Sequence, residues 1–298
     1  MNIVITGATG AVGSKLIPYL AATNNYSILT ISRNLTKAEE KFPTNTKIAH
    51  ATIADRSVIV DFKPEIIIHL ASYVTNSDAL IEGEKLVESN IVYGLNVLDI
   101  LKESKTVKLF LNFGTFAEYK LGGETIQNTY LYAASKTAFR AFVEYYAETV
   151  NFQLIHLVPF TIYGTDDEKK KIFDYVLDGF FAKEPVNMSP GYQKLDFIHI
   201  QDICAILHCI LQTNPEKTQQ FKNIFLGTGK AYSIREVAFM MEKLLNKTPK
   251  HNWGGIPYRN QEVMYAAANI NPLIALNCTP QIDLENGIKE FLKAKELI

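Results

Sequence analysis

The sequence predicts an α/β protein, a doubly wound parallel sheet joined to a smaller, mostly helical C-terminal lobe. Three observations predict it. Short apolar runs rich in β-branched residues, at 2–6, 27–31 and 66–70, alternate with longer stretches of helical spacing. That is the pattern of strands buried on both faces and joined by crossover helices. The first run passes directly into Gly7-Ala8-Thr9-Gly10-Ala11-Val12-Gly13, a glycine-rich turn that opens a helix. With 298 residues, 47% hydrophobic and 20% charged, the chain is long enough for a large core in one large or two interleaved domains.

Composition removes several function classes. A net charge of −1 gives no reason to expect a nucleic-acid partner or an anionic membrane surface. The N-terminus enters a strand without a basic region or cleavage site, so no signal peptide is expected, and the chain reads as cytoplasmic. Its apolar runs are too short to span a bilayer. Cys204, Cys209 and Cys278 and the six histidines show no metal-ligand spacing, so no metal is expected. The cysteines are expected as buried free thiols of a reducing compartment.

The elements follow in order. Residues 2–6 form the first strand and 14–20 take up helical spacing. Between them, backbone N–H groups point out at the positive end of a helix dipole, where a pyrophosphate can sit. Gly7 permits the tight turn, Gly10 the approach of the chain to phosphate, and Gly13 the closure of helix on sheet. The spacing is GxxGxxG and not the GxGxxG of the standard Rossmann fingerprint, yet its place after the first strand reads as a dinucleotide site. The second strand, 27–31, ends at Ser32-Arg33-Asn34. An acid there would bond the adenosine ribose and favour NAD, whereas an arginine accommodates the 2′-phosphate of NADP. Arg33 is present and the acid is absent, which favours NADP(H) over NAD(H); a solvated loop arginine is the competing reading.

Residues 47–53, ending on Ile53, form the third strand and 66–70 the fourth, with small residues following at Ala71 and Ser72. His69, inside an apolar strand, reads as a satisfied core histidine. A long helix is expected over 84–102 and a fifth strand over 108–113. Ligands of such a sheet lie at the carboxyl ends of its strands. Strand five leads to Thr115, and beyond it come Tyr132-Ala-Ala-Ser-Lys136. Tyrosine and lysine four apart share one helix face. A phenol titrates near ~10 and is a poor acid at neutral pH, but a neighbouring ammonium favours the phenolate. The alternative is an exposed helical pair without function.

Taken together, Gly7-x-x-Gly10-x-x-Gly13, His69-Leu70-Ala71-Ser72, Thr115 and Tyr132-x-x-x-Lys136 resemble the extended short-chain dehydrogenase/reductases in order and spacing. Downstream, Val158-Pro-Phe-Thr-Ile-Tyr-Gly164 is similar to the family's NVYG segment and Leu195-Asp-Phe-Ile-His-Ile-Gln-Asp202 to its RDFxHVxD segment. Phe225-Leu-Gly-Thr-Gly229 with Ser233 is similar to its NxGxGxxxS segment. The resemblance covers essentially the whole chain. Within the family, Leu109-Phe-Leu-Asn112, Thr115-Phe-Ala117 and the run from Tyr258 to Asn269 resemble the CDP-abequose and CDP-paratose synthase branch, NADPH-dependent reductases of nucleotide-linked 4-keto-deoxyhexoses.

The resemblance implies a role for each matched residue. Tyr132 would protonate the developing C4 alkoxide, Lys136 would lower its pKa and bind the nicotinamide ribose, and Thr115 would hydrogen-bond the same oxygen. Gly7, Thr9, Gly10, Ala11 and Val12 would cradle the pyrophosphate. Ser32 and Arg33 would meet the adenosine end, and Ile53, Leu70, Ala71 and Ser72 would contact the cofactor further along. Pro159 and Thr161 would line nicotinamide and sugar, while Arg259 and Lys194 would serve the nucleotide diphosphate. Domains are expected at 1–158 with 195–228 for the dinucleotide, and 159–194 with 229–298 for the nucleotide sugar. A homodimer through the 84–102 and 132–150 helices is also implied.

Departures narrow the reading. The dehydratase branch follows its threonine with an Asp-Glu pair that removes water, and here those positions are Phe116 and Ala117. The RDF arginine is Leu195, with Lys194 beside it. In the lobe, Phe173, Tyr175, Phe180 and Phe181 read as packing residues, 185–193 as a turn-rich loop, and 166–171 as a solvated charge cluster. Ser233 with Glu236 forms a capping box for a helix over 233–245, and 283–297 closes the chain as a helix. Reduction of a 4-keto-6-deoxyhexose on a nucleoside diphosphate is the expected activity. An NAD-dependent nucleotide-sugar 4-epimerase is the alternative, and a non-catalytic NADP-binding sensor the third reading.

Overall fold

The computed structural model of the chain describes residues 1–120, 125–165 and 170–298, so most of the charge cluster lies outside the described residues. The first half runs β1 (Asn2–Thr6), α1 (Gly13–Ala22), β2 (Ser27–Ile31), α2 (Leu35–Lys41), β3 (Ile48–Ala51), α3 (Arg56–Asp61) and β4 (Ile66–His69). It continues through α4 (Leu80–Val87), a π turn (Glu88–Val92), α5 (Tyr93–Ser104), β5 (Leu109–Phe113), a 3₁₀ turn (Phe116–Glu118), α6 (Leu131–Val150) and β6 (Gln153–Pro159). The second half begins with β7 (Thr161–Tyr163), α7 (Ile172–Phe181), β8 (Val186–Met188), β9 (Lys194–His199), α8 (Ile200–Gln212), α9 (Pro215–Thr218) and β10 (Asn223–Leu226). It ends with β11 (Ala231–Ser233), α10 (Ile234–Leu245), β12 (His251–Trp253), β13 (Tyr265–Ala266), α11 (Asn271–Ala275) and α12 (Leu284–Ala294).

Seven strands pair in the order β10-β6-β5-β4-β1-β2-β3, all parallel. From β1 the chain winds outward through β2 and β3, then returns to build β4, β5 and β6 on the other side. The reversal opens a crevice above the carboxyl ends of β1 and β4. Register matters here: Thr6 lies opposite His69 and His69 opposite Asn112, so Gly7, Leu70 and the turn after β5 emerge side by side. One face of the sheet is covered by α1, α8 and α11 through Leu16, Ile17, Ile203, Leu207 and Leu273; α5 and α6 cover the other through Val97, Leu101, Phe139 and Val143. Each such fully buried side chain contributes about 1.5–3 kcal/mol.

The lobe packs α7, α10 and α12 around Phe173, Phe180, Met241 and Ile288. Ser233 and Glu236 cap α10 reciprocally, as their spacing predicts. Tyr175 is exposed on the side of α7 opposite Phe173 and Phe180, and Phe181 is exposed at the flank of that buried face. A second sheet centres on β9, which pairs antiparallel with β11 and parallel with β7 and β13. The loop expected over 185–193 contains β8, which pairs in parallel with β12 at the edge of the segment that carries Arg259.

Two further expectations are corrected. The helix over 84–102 starts earlier, at Leu80, and is interrupted by the π turn, which carries Asn90 on its buried side. Cys209 and Cys278 are not free thiols: they form a disulfide across a sequence separation of 69, with Cα atoms 5.7 Å apart. The end of α8 packs beside the turn after α11, a juxtaposition that no local pattern announces. Cys204 is free and buried, and burial pushes its thiol up to about 12. Among the described residues, no helix is long and apolar enough to cross a membrane, and no cluster of side chains could hold a metal ion.

Candidate functional site

The site begins at the turn between β1 and α1. Gly7 has φ +70°, and a Cβ there would lie 2.6 Å from the Ala71 nitrogen. A Cβ on Gly13 would lie 2.5 Å from the Gly7 and Ala8 carbonyl oxygens. Both glycines are therefore fixed by steric necessity. Thr9, Ala11 and Val12 are half-buried around the turn, and Val12 caps α1 without a side-chain hydrogen bond. No acidic residue occupies the first helical turn. Within the described residues nothing accepts from the Ala11 and Val12 N–H groups, so a dinucleotide's pyrophosphate fits this cradle.

The same crevice collects the other expected cofactor contacts. Ser32, half-buried, gives its N–H to Ala51 and its hydroxyl to the Asn34 carbonyl. Arg33 is exposed, with its charge felt by the Tyr93 phenol, and no acid stands beside it at the end of β2. Ile53 is half-buried after β3 and packs against the α5 side of the core. The Ala71 N–H donates to the Thr6 hydroxyl at 3.1 Å, which fixes the path of Leu70, Ala71 and Ser72. Pro159 and Thr161 follow at the end of β6 and the start of β7.

Tyr132 lies in the first turn of α6 and Lys136 one turn on, sharing a face as the spacing predicts. Ser72 lies close enough to the Tyr132 phenol to oppose part of the effect of burial on it, and the Tyr132 ring stacks on Tyr130 with centroids 6.2 Å apart. Burial pushes the phenol up, so it stands protonated. Lys136 is buried, and desolvation lowers its ammonium from 10.5 to about 8, Glu118 opposing the shift. Thr115 caps the 3₁₀ turn: its hydroxyl oxygen accepts from the Ala117 N–H at 3.3 Å, which leaves the hydroxyl proton to donate elsewhere. His69 is buried, with Nδ1 bonded to the Thr6 hydroxyl at 2.9 Å and Nε2 without a partner. Desolvation lowers it to about 3, so it is neutral and only half-satisfied.

Three residues not singled out from sequence complete the site. Asn90, in the π turn, donates to the Tyr73 carbonyl and the Ser135 hydroxyl and accepts from the Tyr73 N–H and the Ser72 hydroxyl. It thereby locks the Ser72 strand to α6. Its signal was a polar residue four after Leu86 on an otherwise apolar stripe. Glu118 is fully buried beneath Thr115, and its signal was the Thr-x-x-Glu spacing of a capping box. Tyr130 stacks on Tyr132, and the charge of the exposed Arg259 reaches its phenol. By contrast, Lys194 is exposed at the start of β9 and its charge acts on Glu236 of α10.

Comparison with known proteins agrees with this geometry. A family model described as the NAD dependent epimerase/dehydratase family matches residues 3–226. A protein named CDP-abequose synthase from Salmonella muenchen is 29% identical over 99% of this chain and 98% of its own length. Another of that name, from Yersinia pseudotuberculosis, is 27% identical over 89% and 91%. Among solved structures, UDP-glucuronic acid 4-epimerase from Bacillus cereus, in complex with UDP-glucuronic acid and NAD, superposes with a TM-score of 0.87 at 21% identity, each chain covered in full at 100%.

Proposed function

The chain belongs to the NAD dependent epimerase/dehydratase family, and from that premise we propose that it reduces the C4 ketone of a nucleotide-linked 4-keto-6-deoxyhexose with NADPH. The observation that carries the reading is the buried, protonated Tyr132 phenol, with Lys136 one turn along and apolar Phe116 and Ala117 beyond Thr115. A protonated phenol suits delivery of a proton to a ketone under reduction. Removal of water would need an acid and a base in the turn. The only carboxyl group there, Glu118, is engaged by the Thr115 N–H, Thr137 and Arg140.

When bound, the nicotinamide supplies the hydride. Tyr132 gives its proton to the C4 oxygen while the Thr115 hydroxyl donates to the same atom, and the Lys136 ammonium favours the phenolate left behind. Segments 1–158 and 195–228 would hold the dinucleotide, with Gly7, Thr9, Gly10, Ala11 and Val12 at the pyrophosphate. Segments 159–194 and 229–298 would hold the nucleotide sugar, with Thr161, Lys194 and Arg259 as its contacts. The likeness to proteins named CDP-abequose synthase supports deoxysugar biosynthesis as the setting, and the reading places the enzyme in the cytoplasm.

Consumption of NADPH and, separately, of NADH with CDP- and dTDP-linked 4-keto-6-deoxyglucose tests the reading. NADPH is expected to be oxidised stoichiometrically. Arg33→Asp is expected to lower the preference for NADPH over NADH about tenfold or more, the worth of one charge-assisted contact. The superposition on an NAD-bound 4-epimerase favours a second reading, in which the same residues oxidise and re-reduce C4 without net redox change. Tightly held NAD in the purified protein, with no NADPH oxidation, would establish it instead.

A homodimer is part of the same proposal. α4 leaves Leu80 and Ile81 80% and 58% exposed, and α6 leaves Phe142 and Tyr145 exposed, an apolar surface larger than single scattered residues. Sedimentation is expected to give twice the chain mass, and Leu80→Lys with Tyr145→Glu to give the monomer. A monomeric wild type at micromolar concentration would refute it.

A further inference from the structure

Glu118 has a chemistry that the proposed reaction does not yet use. It is fully buried, in the 3₁₀ turn directly after Thr115. One carboxylate oxygen accepts the Thr115 N–H at 2.8 Å; the other accepts the Thr137 hydroxyl at 3.1 Å and lies 3.8 Å from the Arg140 guanidinium. Thr137 and Arg140 follow Lys136 at one and four residues on α6, so the carboxylate is held against the turn of helix that begins at Lys136. Arg140 is engaged further by the Tyr119 hydroxyl and the Asn223 side chain. Lys136 itself is buried. From β4 and β6 it is faced by His69 and His156, both held neutral by burial, and on its own helix by Tyr132 and Arg140. Glu118 is the acid whose charge reaches it.

We propose that Glu118 is a positioning residue for this site: it aims Thr115 through its backbone N–H and provides the anion that keeps Lys136 charged. The inference rests on reading Tyr132, Lys136 and Thr115 as the reacting set. Its physical logic is electrostatic. A buried ammonium is disfavoured by desolvation, and a nearby carboxylate in the same low-dielectric surroundings restores it. A charged Lys136 in turn favours the phenolate that Tyr132 becomes on giving up its proton, against the Glu118 charge, which acts on the phenol directly and raises it. A purely structural cap would need only an acceptor for the Thr115 N–H, which an amide also supplies.

Glu118→Gln separates the two roles, because it keeps that acceptor and removes the charge. Loss of the anion lowers the pH at which Lys136 gives up its proton. The alkaline limb of the rate profile is therefore expected to move to lower pH by about one unit, with turnover near pH 8 reduced up to about tenfold and turnover near pH 6 little changed. The same shift is expected without substrate or cofactor, in the ¹³C signal of reductively methylated Lys136, identified by its loss in Lys136→Arg. An unchanged midpoint of that signal overturns the proposal. If no 4-keto sugar is turned over, the reductase reading fails, while the carbon signal still decides the role of Glu118. Should Glu118→Gln not fold, Glu118→Gln combined with Arg140→Met serves, because it removes the buried pair together: its Lys136 midpoint is expected below that of Arg140→Met alone, and equal midpoints overturn the proposal.

Discussion

Tyr132→Phe is expected to lower turnover of a nucleotide-linked 4-keto-6-deoxyhexose by about 10³-fold, within the range lost when a general acid is removed. Cofactor affinity should change little. The substitution removes one oxygen and leaves the ring, so the stack on Tyr130 and the packing of the first turn of α6 remain. What disappears is the phenol hydroxyl that α6 presents near Ser72. The cofactor contacts proposed at the β1–α1 turn and at 70–72 are separate from that oxygen. Fluorescence titration with NADPH alongside steady-state rates checks both halves. Full activity in the phenylalanine variant would remove Tyr132 from the chemistry and leave the sensor reading standing; loss of cofactor binding would make the residue structural.

The second large effect concerns stability and comes from Asp196. This buried carboxylate, in the second sheet, accepts the Thr228 N–H at 2.9 Å, the Thr228 hydroxyl at 2.7 Å, the Gly229 N–H at 2.8 Å and the Ala268 N–H at 3.1 Å. It pins the turn after β10 to the segment after β13, and that segment leads back to Arg259. Burial pushes the carboxyl up, and the Thr228 bonds hold it down. Asp196→Ala would leave the buried Ala268 N–H with nothing to accept it and would release the half-buried Thr228 and the exposed Gly229 from the turn's one shared acceptor. Unfilled bonds to a charged group cost enough that a loss of about 4 kcal/mol or more is expected. Melting should fall by on the order of 10 °C. Asp196→Asn keeps the shape but turns an amide towards N–H groups, so an intermediate loss is expected. A melting temperature within 2 °C or so of wild type in the alanine variant would show that water replaces the carboxylate and would refute the account.

Most of the dinucleotide half was legible in the sequence because its signals are local. β1, the glycine turn and α1 are contiguous, and each residue's reason lies within a few positions: positive φ at Gly7, a helix opening at Gly13. Tyr132 and Lys136 are four apart on one helix, so their shared face follows from helical geometry alone. Parallel strands buried on both faces read as unbroken apolar runs, which is why β1, β2 and β4 stand out. Even so, the capping-box spacing of Glu118 to Thr115 is as local as that of Glu236 to Ser233, but spacing alone does not tell a buried carboxylate from a surface cap. Asn90 was masked by a helical pattern that does not reveal where an extra residue opens the turn.

The sequence by itself determined the order of strands and helices, the glycine-rich turn that opens α1, the shared helix face of Tyr132 and Lys136 and the absence of an acid at the end of β2. Only the tertiary structure decided what faces what: Glu118 beneath Thr115, β8 against β12, Asp196 beneath Ala268, and Cys209 bridged to Cys278. The physical reason is range. Turns, caps and helix faces are set by neighbours within about one turn of chain, whereas pairs tens of residues apart are fixed by the close packing of the whole core, to which every element contributes.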